Sequence, residues 1–210
     1  MPPDLSRSGR NQAEAVFTPK MNRYLISSLF VLAIVTASGF VFFKDYWEHR
    51  YDDLIARHAR VYRIDEKLVW SVIYEETYFR PAVLGDAAEV GLMQVTPLVA
   101  RDWAKQTGLS ELERQANDEV VALLSDPERN IRIGCWYLEK LRERYRNRPA
   151  ETAMTLAAYN AGPSRVEEWT RGADAAIISE ADFIERIAIP STKAYVISIL
   201  ERYRSESRPR

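Results

Sequence analysis

The sequence is poor in the residues that most metal and cofactor chemistry needs. It has one cysteine, Cys135, so no intrachain disulfide framework can form. Two histidines, His49 and His58, with that cysteine are too few for a conventional zinc site, so no metal is expected. Glycine is scarce, 8 in 210 residues, and neither G-x-G-x-x-G nor G-x-x-x-x-G-K-[ST] occurs, which argues against dinucleotide and P-loop sites. Neither sign of charge dominates: 29 Lys and Arg stand against 30 Asp and Glu, a net charge of −1. A dedicated nucleic-acid binder would concentrate a basic excess on one face. No convincing alternating strand pattern and no internal repeat are present. What remains is chemistry run by carboxylates, with no cofactor, or no chemistry at all.

One long apolar run is there. Tyr24 to Phe43 is twenty residues without a charge. At about 1.5 Å per residue it reaches roughly 30 Å, the hydrocarbon thickness of a bilayer. Lys20, Arg23 and Lys44 bracket it. We read residues 24–43 as an uncleaved transmembrane anchor; the small residues Thr36 to Gly39 would permit the alternative, a cleaved signal peptide. Residues 1–23 carry a net charge of +2 and residues 44–210 one of −3. The positive flank is expected to stay in the cytoplasm, as a disordered polar tail, with the larger portion on the far side of the membrane.

The rest reads as helices. Trp47, Tyr51, Leu54, Ile55, His58 and Tyr62 share one stripe, expected as a juxtamembrane helix over 44–63 that continues out of the membrane. Asp65 is a candidate N-cap for a helix to Tyr78, Pro97 starts another that ends near Gly108, and Asp126-Pro127 starts a long one to Tyr145. Cys135 falls on the inner face of that helix with Ile131, Gly134, Leu138 and Leu141 and is expected in the core. Ala150–Ala161 and Thr192–Tyr203 complete an all-α domain of six to eight helices over 64–204, followed by a polar tail at 205–210. The stretch from Gly162 to Glu180 is more irregular.

One carboxylate falls where apolar residues belong. With Leu68 at 0° and about 100° per residue, Val72 lies near 40°, Val69 near 100° and Ile73 near 140°. Glu76 lies at about 80°, in the middle of that face, and Glu75 at about −20°, at its edge. An acid so placed is neutral, paired, or at the wall of a cleft. Burial raises its pKa, the property a general acid needs. The plainer reading is a glutamate buried against an arginine.

The residues around Glu76 carry a resemblance. Glu76-Thr77-Tyr78-Phe79-Arg80-Pro81, Gly91-Leu92-Met93-Gln94-Val95-Thr96-Pro97, Asp126-Pro127-Glu128-Arg129-Asn130-Ile131 with Gly134 and Tyr137-Leu138, Ala158-Tyr159-Asn160-Ala161-Gly162-Pro163, and Thr192-Lys193-Ala194-Tyr195-Val196 follow in order. Together they resemble the lytic transglycosylase family of soluble type, from about Ile64 to Tyr203. The resemblance implies a lysozyme-like, mostly helical catalytic domain, preceded here by a single transmembrane helix. It implies peptidoglycan strands as substrate, cut between N-acetylmuramic acid and N-acetylglucosamine without water to leave 1,6-anhydro ends. It makes Glu76 the single catalytic acid and then base. Met93 and Gln94 would line the cleft, Tyr159 would contact and orient Glu76, Asn160 would hold the substrate or a neighbouring loop, and Tyr195 would sit near the cleft.

The chain departs from the family pattern in places. Thr77 stands where the family has Ser, and Ala88-Glu89-Val90 where Gly-Ala-x is common. Glu89 is thus an extra carboxylate beside the expected cleft. Facing Glu76, it could position a water and shift the product toward hydrolysis, as in goose-type lysozymes. A hydrolytic muramidase of the same fold, and an inactive sugar-binding scaffold of a cell-envelope machine, are the alternatives.

Overall fold

The structure, a computed structural model, describes residues 19–81, 83–85, 88–109 and 115–206. The tail read at 1–23 and the tail at 205–210 therefore fall mostly outside the described residues. Two units separate at Tyr46 and Trp47. The first contains most of α1 (Pro19–His49). Its apolar window has a mean hydropathy of 2.2 and none of it is buried, so it is long and apolar enough to cross a membrane by length and composition.

The second unit is all-helical among the described residues: α2 (Asp52–Tyr62), α3 (Glu66–Thr77), α4 (Pro97–Thr107), α5 (Asn117–Leu124), α6 (Pro127–Tyr145), α7 (Glu151–Ala161), α8 (Pro163–Trp169), α9 (Glu180–Arg186) and α10 (Pro190–Glu206). Three of these, α5, α8 and α9, were not expected. Each has 8 residues or fewer, too short for a periodic pattern to stand out. The single helix expected over 44–63 is also not formed. The chain breaks at Arg50-Tyr51, and Asp52 and Asp53 open α2 with two acids in its first turn, where the helix dipole favours them.

The starts of the longer helices follow from side-chain caps. Asp65 accepts the Lys67 N–H at 2.9 Å, and Asp126 that of Arg129 at 2.9 Å ahead of Pro127. Thr96 accepts the Val99 N–H at 3.3 Å ahead of Pro97, and Gly108 ends α4 at φ 76°. Helix α7 is the centre. Ala153, Met154, Thr155, Leu156, Ala157 and Ala158 are all buried, because α6, α8, α9 and α10 pack around it. Helix α3 lies between α2 and α10, and α6 contacts α2, α4, α5 and α7. Cys135 is wholly buried in α6, which pushes its thiol up to about 12.

Between α3 and α4 the chain folds into a loop pinned from below. Asn130, wholly buried in α6, donates to the Val90 carbonyl at 2.7 Å and the Leu124 carbonyl at 2.9 Å, and accepts the Met93 N–H at 2.8 Å. Gly91 has φ +74°, and a Cβ there would stand 2.5 Å from Asn130 Nδ2, so both conformation and space require glycine. Replacing Asn130 with Ala removes all three bonds in the interior and leaves the Met93 N–H without its acceptor, while the Val90 carbonyl keeps the Val95 N–H at 3.0 Å. Urea denaturation of Asn130→Ala is expected to show a loss of about 3 kcal/mol. A loss below about 1 kcal/mol would mean that the loop does not depend on this side chain.

Candidate active site

The last turn of α3 carries two adjacent glutamates, and α10 sorts them. Tyr195, Ser198 and Arg202 project from α10 at spacings of three and four, one helical stripe. Tyr195 donates its hydroxyl to Glu76 Oε1 at 2.7 Å. Ser198 donates to Glu75 Oε2 at 2.6 Å, and Arg202 pairs with the same oxygen at 3.1 Å. Arg202 also lies over the Tyr74 ring, 3.9 Å from its centroid. The arginine-paired glutamate is thus Glu75, at the edge of the apolar face, and Glu76 is the one turned to the interior.

Glu76 opens onto a cleft of about 300 Å³ lined by Gly85, Glu89, Gln94, Tyr159 and Asn160. Part of the residue is reached by solvent, while protein encloses most of the carboxyl group. That enclosure raises its pKa from an ordinary 4.5 to about 7; the Tyr195 hydrogen bond works in the opposite direction, and the charges of Glu89 and Glu75 raise it further. Tyr159 and Tyr195 are held well above the usual phenol range, chiefly by burial, so both stay hydrogen-bond donors.

The structure redistributes the expected roles. Tyr159 lines the cleft but does not bond to Glu76; its hydroxyl donates to the Met93 carbonyl at 2.7 Å. Tyr195, expected only near the cleft, makes the contact instead, because α10 packs along α3 and brings its first turns level with the last turn of α3. Met93 does not line the cleft. It is wholly buried, its side chain against Gly134, where even a Cβ would come within 2.4 Å of Sδ. Gln94 does line it, at φ 46°, with Nε2 donating to the carbonyls of Val83 (3.2 Å) and Gly91 (2.9 Å). Asn160 accepts the Thr192 hydroxyl at 2.7 Å, tying the end of α7 to the start of α10. Glu89 shares the cleft with Glu76, packed over Gly85, where a Cβ would meet Glu89 Oε2 at 2.6 Å. Thr77 keeps the role open to a Ser: its hydroxyl donates to the Leu92 carbonyl at 3.0 Å.

Sequence reasoning missed three contributors. Asn130 stood inside a recognised motif without a role. Ser198 and Arg202 carried a signal in principle, since they lie three and seven residues after Tyr195 on one face. The large aromatics Trp70, Tyr78, Phe79, Trp103 and Trp169 are not among the residues that line the cleft.

Comparisons with known proteins bear on most of the second unit. A family model described as "Transglycosylase SLT domain" matches residues 53–181. The chain is similar to the soluble lytic murein transglycosylase of Salmonella typhimurium, 30% identical over 161 residues, 73% of this chain and 23% of that protein. It is similar to the membrane-bound lytic murein transglycosylase C of Histophilus somni, 34% identical over 122 residues, 56% of this chain and 32% of that protein. The crystal structure of the 70 kDa soluble lytic transglycosylase of Escherichia coli superposes with TM-score 0.64 at 26% identity, covering 88% of this chain and 29% of that one. The 70-kDa enzyme in complex with bulgecin A gives TM-score 0.65 at the same identity and coverage. The chain thus spans between a quarter and a third of the length of most of these proteins.

The raised pKa makes stability depend on pH. Below about pH 4.5 native and unfolded chains both hold the Glu76 proton, and its burial costs little. Between 4.5 and 7 the unfolded chain ionises first, so stability falls as pH rises, by about 3 kcal/mol in all. Glu76→Gln removes that penalty. Denaturant unfolding is expected to show the variant about 2 to 3 kcal/mol more stable than the parent at pH 8, with the gap closing toward pH 4.5. A gap independent of pH would contradict the raised pKa.

Proposed function

The chain belongs to the SLT transglycosylase domain family, and from that premise we propose that it is a peptidoglycan lytic transglycosylase. It cleaves the β-1,4 bond between N-acetylmuramic acid and N-acetylglucosamine without water. The observation that carries this reading is one mostly enclosed carboxyl group in the cleft, that of Glu76, poised near pH 7 and held by one phenol.

One residue suffices for both proton transfers. Glu76, protonated in the resting cleft, gives its proton to the glycosidic oxygen as the bond to C1 breaks. The substrate's own N-acetyl oxygen stabilises the positive charge at C1, which replaces the second carboxylate most glycosidases use. Glu76, now ionised, takes the proton of the muramoyl C6 hydroxyl as that oxygen attacks C1 and closes the 1,6-anhydro ring. Tyr195 holds one carboxyl oxygen in both stages and, as a donor, stabilises the ionised one more. Gln94 and Asn160 offer polar groups to the sugar amides and hydroxyls.

Residues 24–43 anchor the enzyme in the cytoplasmic membrane, with 1–23 on the inner side and the catalytic domain, 64–204, on peptidoglycan in the periplasm. The charge-free apolar helix, its basic N-terminal flank and the membrane-bound relatives support this placement.

Glu89, in the same cleft, gives a second reading: it holds a water that intercepts C1 and yields a reducing end. Mass analysis of products from purified sacculi separates the two. We expect 1,6-anhydromuramic ends from the parent and a drop of roughly 10³-fold in Glu76→Gln. Reducing ends lost in Glu89→Gln would favour hydrolysis; no product at all would leave a sugar-binding scaffold.

A further inference from the structure

Immediately after Glu76-Thr77 the backbone makes an unusual turn. Tyr78 and Phe79 both lie in the left-handed region, at φ 52° and 59°. Bulky residues rarely adopt it singly, and two in succession persist only where the surroundings hold them. The holders come from the last turn of α1 and the break before α2. Trp47 Nε1 donates to the Tyr78 carbonyl at 2.9 Å. The Arg50 guanidinium donates to the Phe79 carbonyl. Arg50 is itself clamped between rings, 3.6 Å from the Trp47 centroid and 4.8 Å from that of Tyr51. Glu48 closes the set: its carboxylate accepts the Tyr78 hydroxyl at 3.1 Å and its carbonyl accepts Trp70 Nε1 at 3.2 Å.

The turn so held is the C-terminal cap of the helix that presents Glu76. The Tyr78 N–H closes α3 on the Tyr74 carbonyl at 3.0 Å, and the Arg80 N–H bonds the Thr77 carbonyl at 3.1 Å. Phe79 is wholly buried against Trp70, with ring centroids 5.2 Å apart. If the Tyr78 and Phe79 carbonyls were released, the left-handed pair would relax, and the last turn of α3 would fray with Glu76 on it. The 2.7 Å contact with Tyr195 has no tolerance for such movement.

We propose that Trp47 and Arg50, which precede the matched family region and follow the apolar run of residues 24–43, are positioning residues for the catalytic acid. They act through the backbone of residues 78 and 79. The proposal rests on the transglycosylase reading, and it adds that the membrane-proximal segment is part of the catalytic apparatus rather than a spacer.

The test uses the full chain in detergent, with Trp47→Phe, which keeps a ring over Arg50 but loses the donor, Arg50→Met, and the pair. On purified sacculi the pair is expected to lose about tenfold or more in kcat with KM within about twofold, since misplacement of a catalytic group costs rate rather than binding. Amide exchange at residues 78–80 is expected to quicken while α6 stays protected. Tyr78→Gly added to the pair is expected to restore part of the rate, because glycine takes the left-handed conformation without a Cβ. Trp47→Phe alone decides the matter if the pair does not fold. Faster exchange with an unchanged kcat, or unchanged exchange, overturns the proposal while leaving the function intact. A parent chain that releases no anhydro ends overturns both.

Discussion

The hydrogen bond from the Tyr195 hydroxyl to Glu76 Oε1 sits between two opposed forces, and the site depends on their balance. Burial and the neighbouring carboxylates drive Glu76 toward its neutral form; the phenol favours the charged form. In the proposed reaction the acid gives up a proton and then takes one back, which needs both states within reach near neutral pH. Without the phenol the carboxyl would hold its proton through the step in which it should act as a base. With an arginine in place of the phenol it would be ionised before the reaction began. Tyr195 can serve as a weak, permanent donor because its own burial keeps the phenol from ionising.

The same stripe of α10 keeps the adjacent glutamate from upsetting this balance. Glu75 accepts the Ser198 hydroxyl and pairs with Arg202. Its charge raises the Glu76 pKa, yet ranks last among the causes, after burial, the Tyr195 bond and Glu89. Arg202 pairs with it at 3.1 Å, so two glutamates in succession face one helix with different partners, a guanidinium for Glu75 and a phenol for Glu76. The opposite wall is fixed by means that have nothing to do with charge. Asn130 anchors the loop of Gly91 to Met93, Met93 fills the space that Gly134 leaves, and Tyr159 caps the Met93 carbonyl. Gln94, next in sequence, is thereby delivered into the cleft at a backbone angle it would not choose alone.

Much of this was legible beforehand for definite reasons. The caps Asp65 and Asp126-Pro127, the start at Pro97 and the terminator Gly108 are local signals, and the helices they bound are where the spacing put them. The wheel singled out Glu76 from Glu75 because burial on a helix is periodic. The partner of Glu76 was not legible, because 119 residues separate it from Tyr195 and only the packing of α10 on α3 brings them together. Tyr159 and Met93 were misassigned for a related reason. A tyrosine beside a cleft can spend its hydroxyl on a backbone carbonyl, and a methionine in a cleft motif can face the core; sequence spacing does not tell which. The short helices α5, α8 and α9 escaped because they are ordered by tertiary contact rather than by their own propensity.

The break at Arg50-Tyr51 was the least legible feature, and it changes how the chain is divided. Trp47, Tyr51, Leu54, Ile55, His58 and Tyr62 do form an apolar series, which read as one helix leaving the membrane. An uninterrupted helix would carry Trp47 and Arg50 along its axis, and their donors would have no fixed relation to the turn after Glu76. The interruption lets Arg50 insert between Trp47 and Tyr51 and lets both donors reach the carbonyls of residues 78 and 79. A spacer between an anchor and a domain needs no such geometry, and composition alone would suffice for it. The compact unit includes Trp47 and Arg50, and these residues after the apolar run pack on the helix that presents the acid.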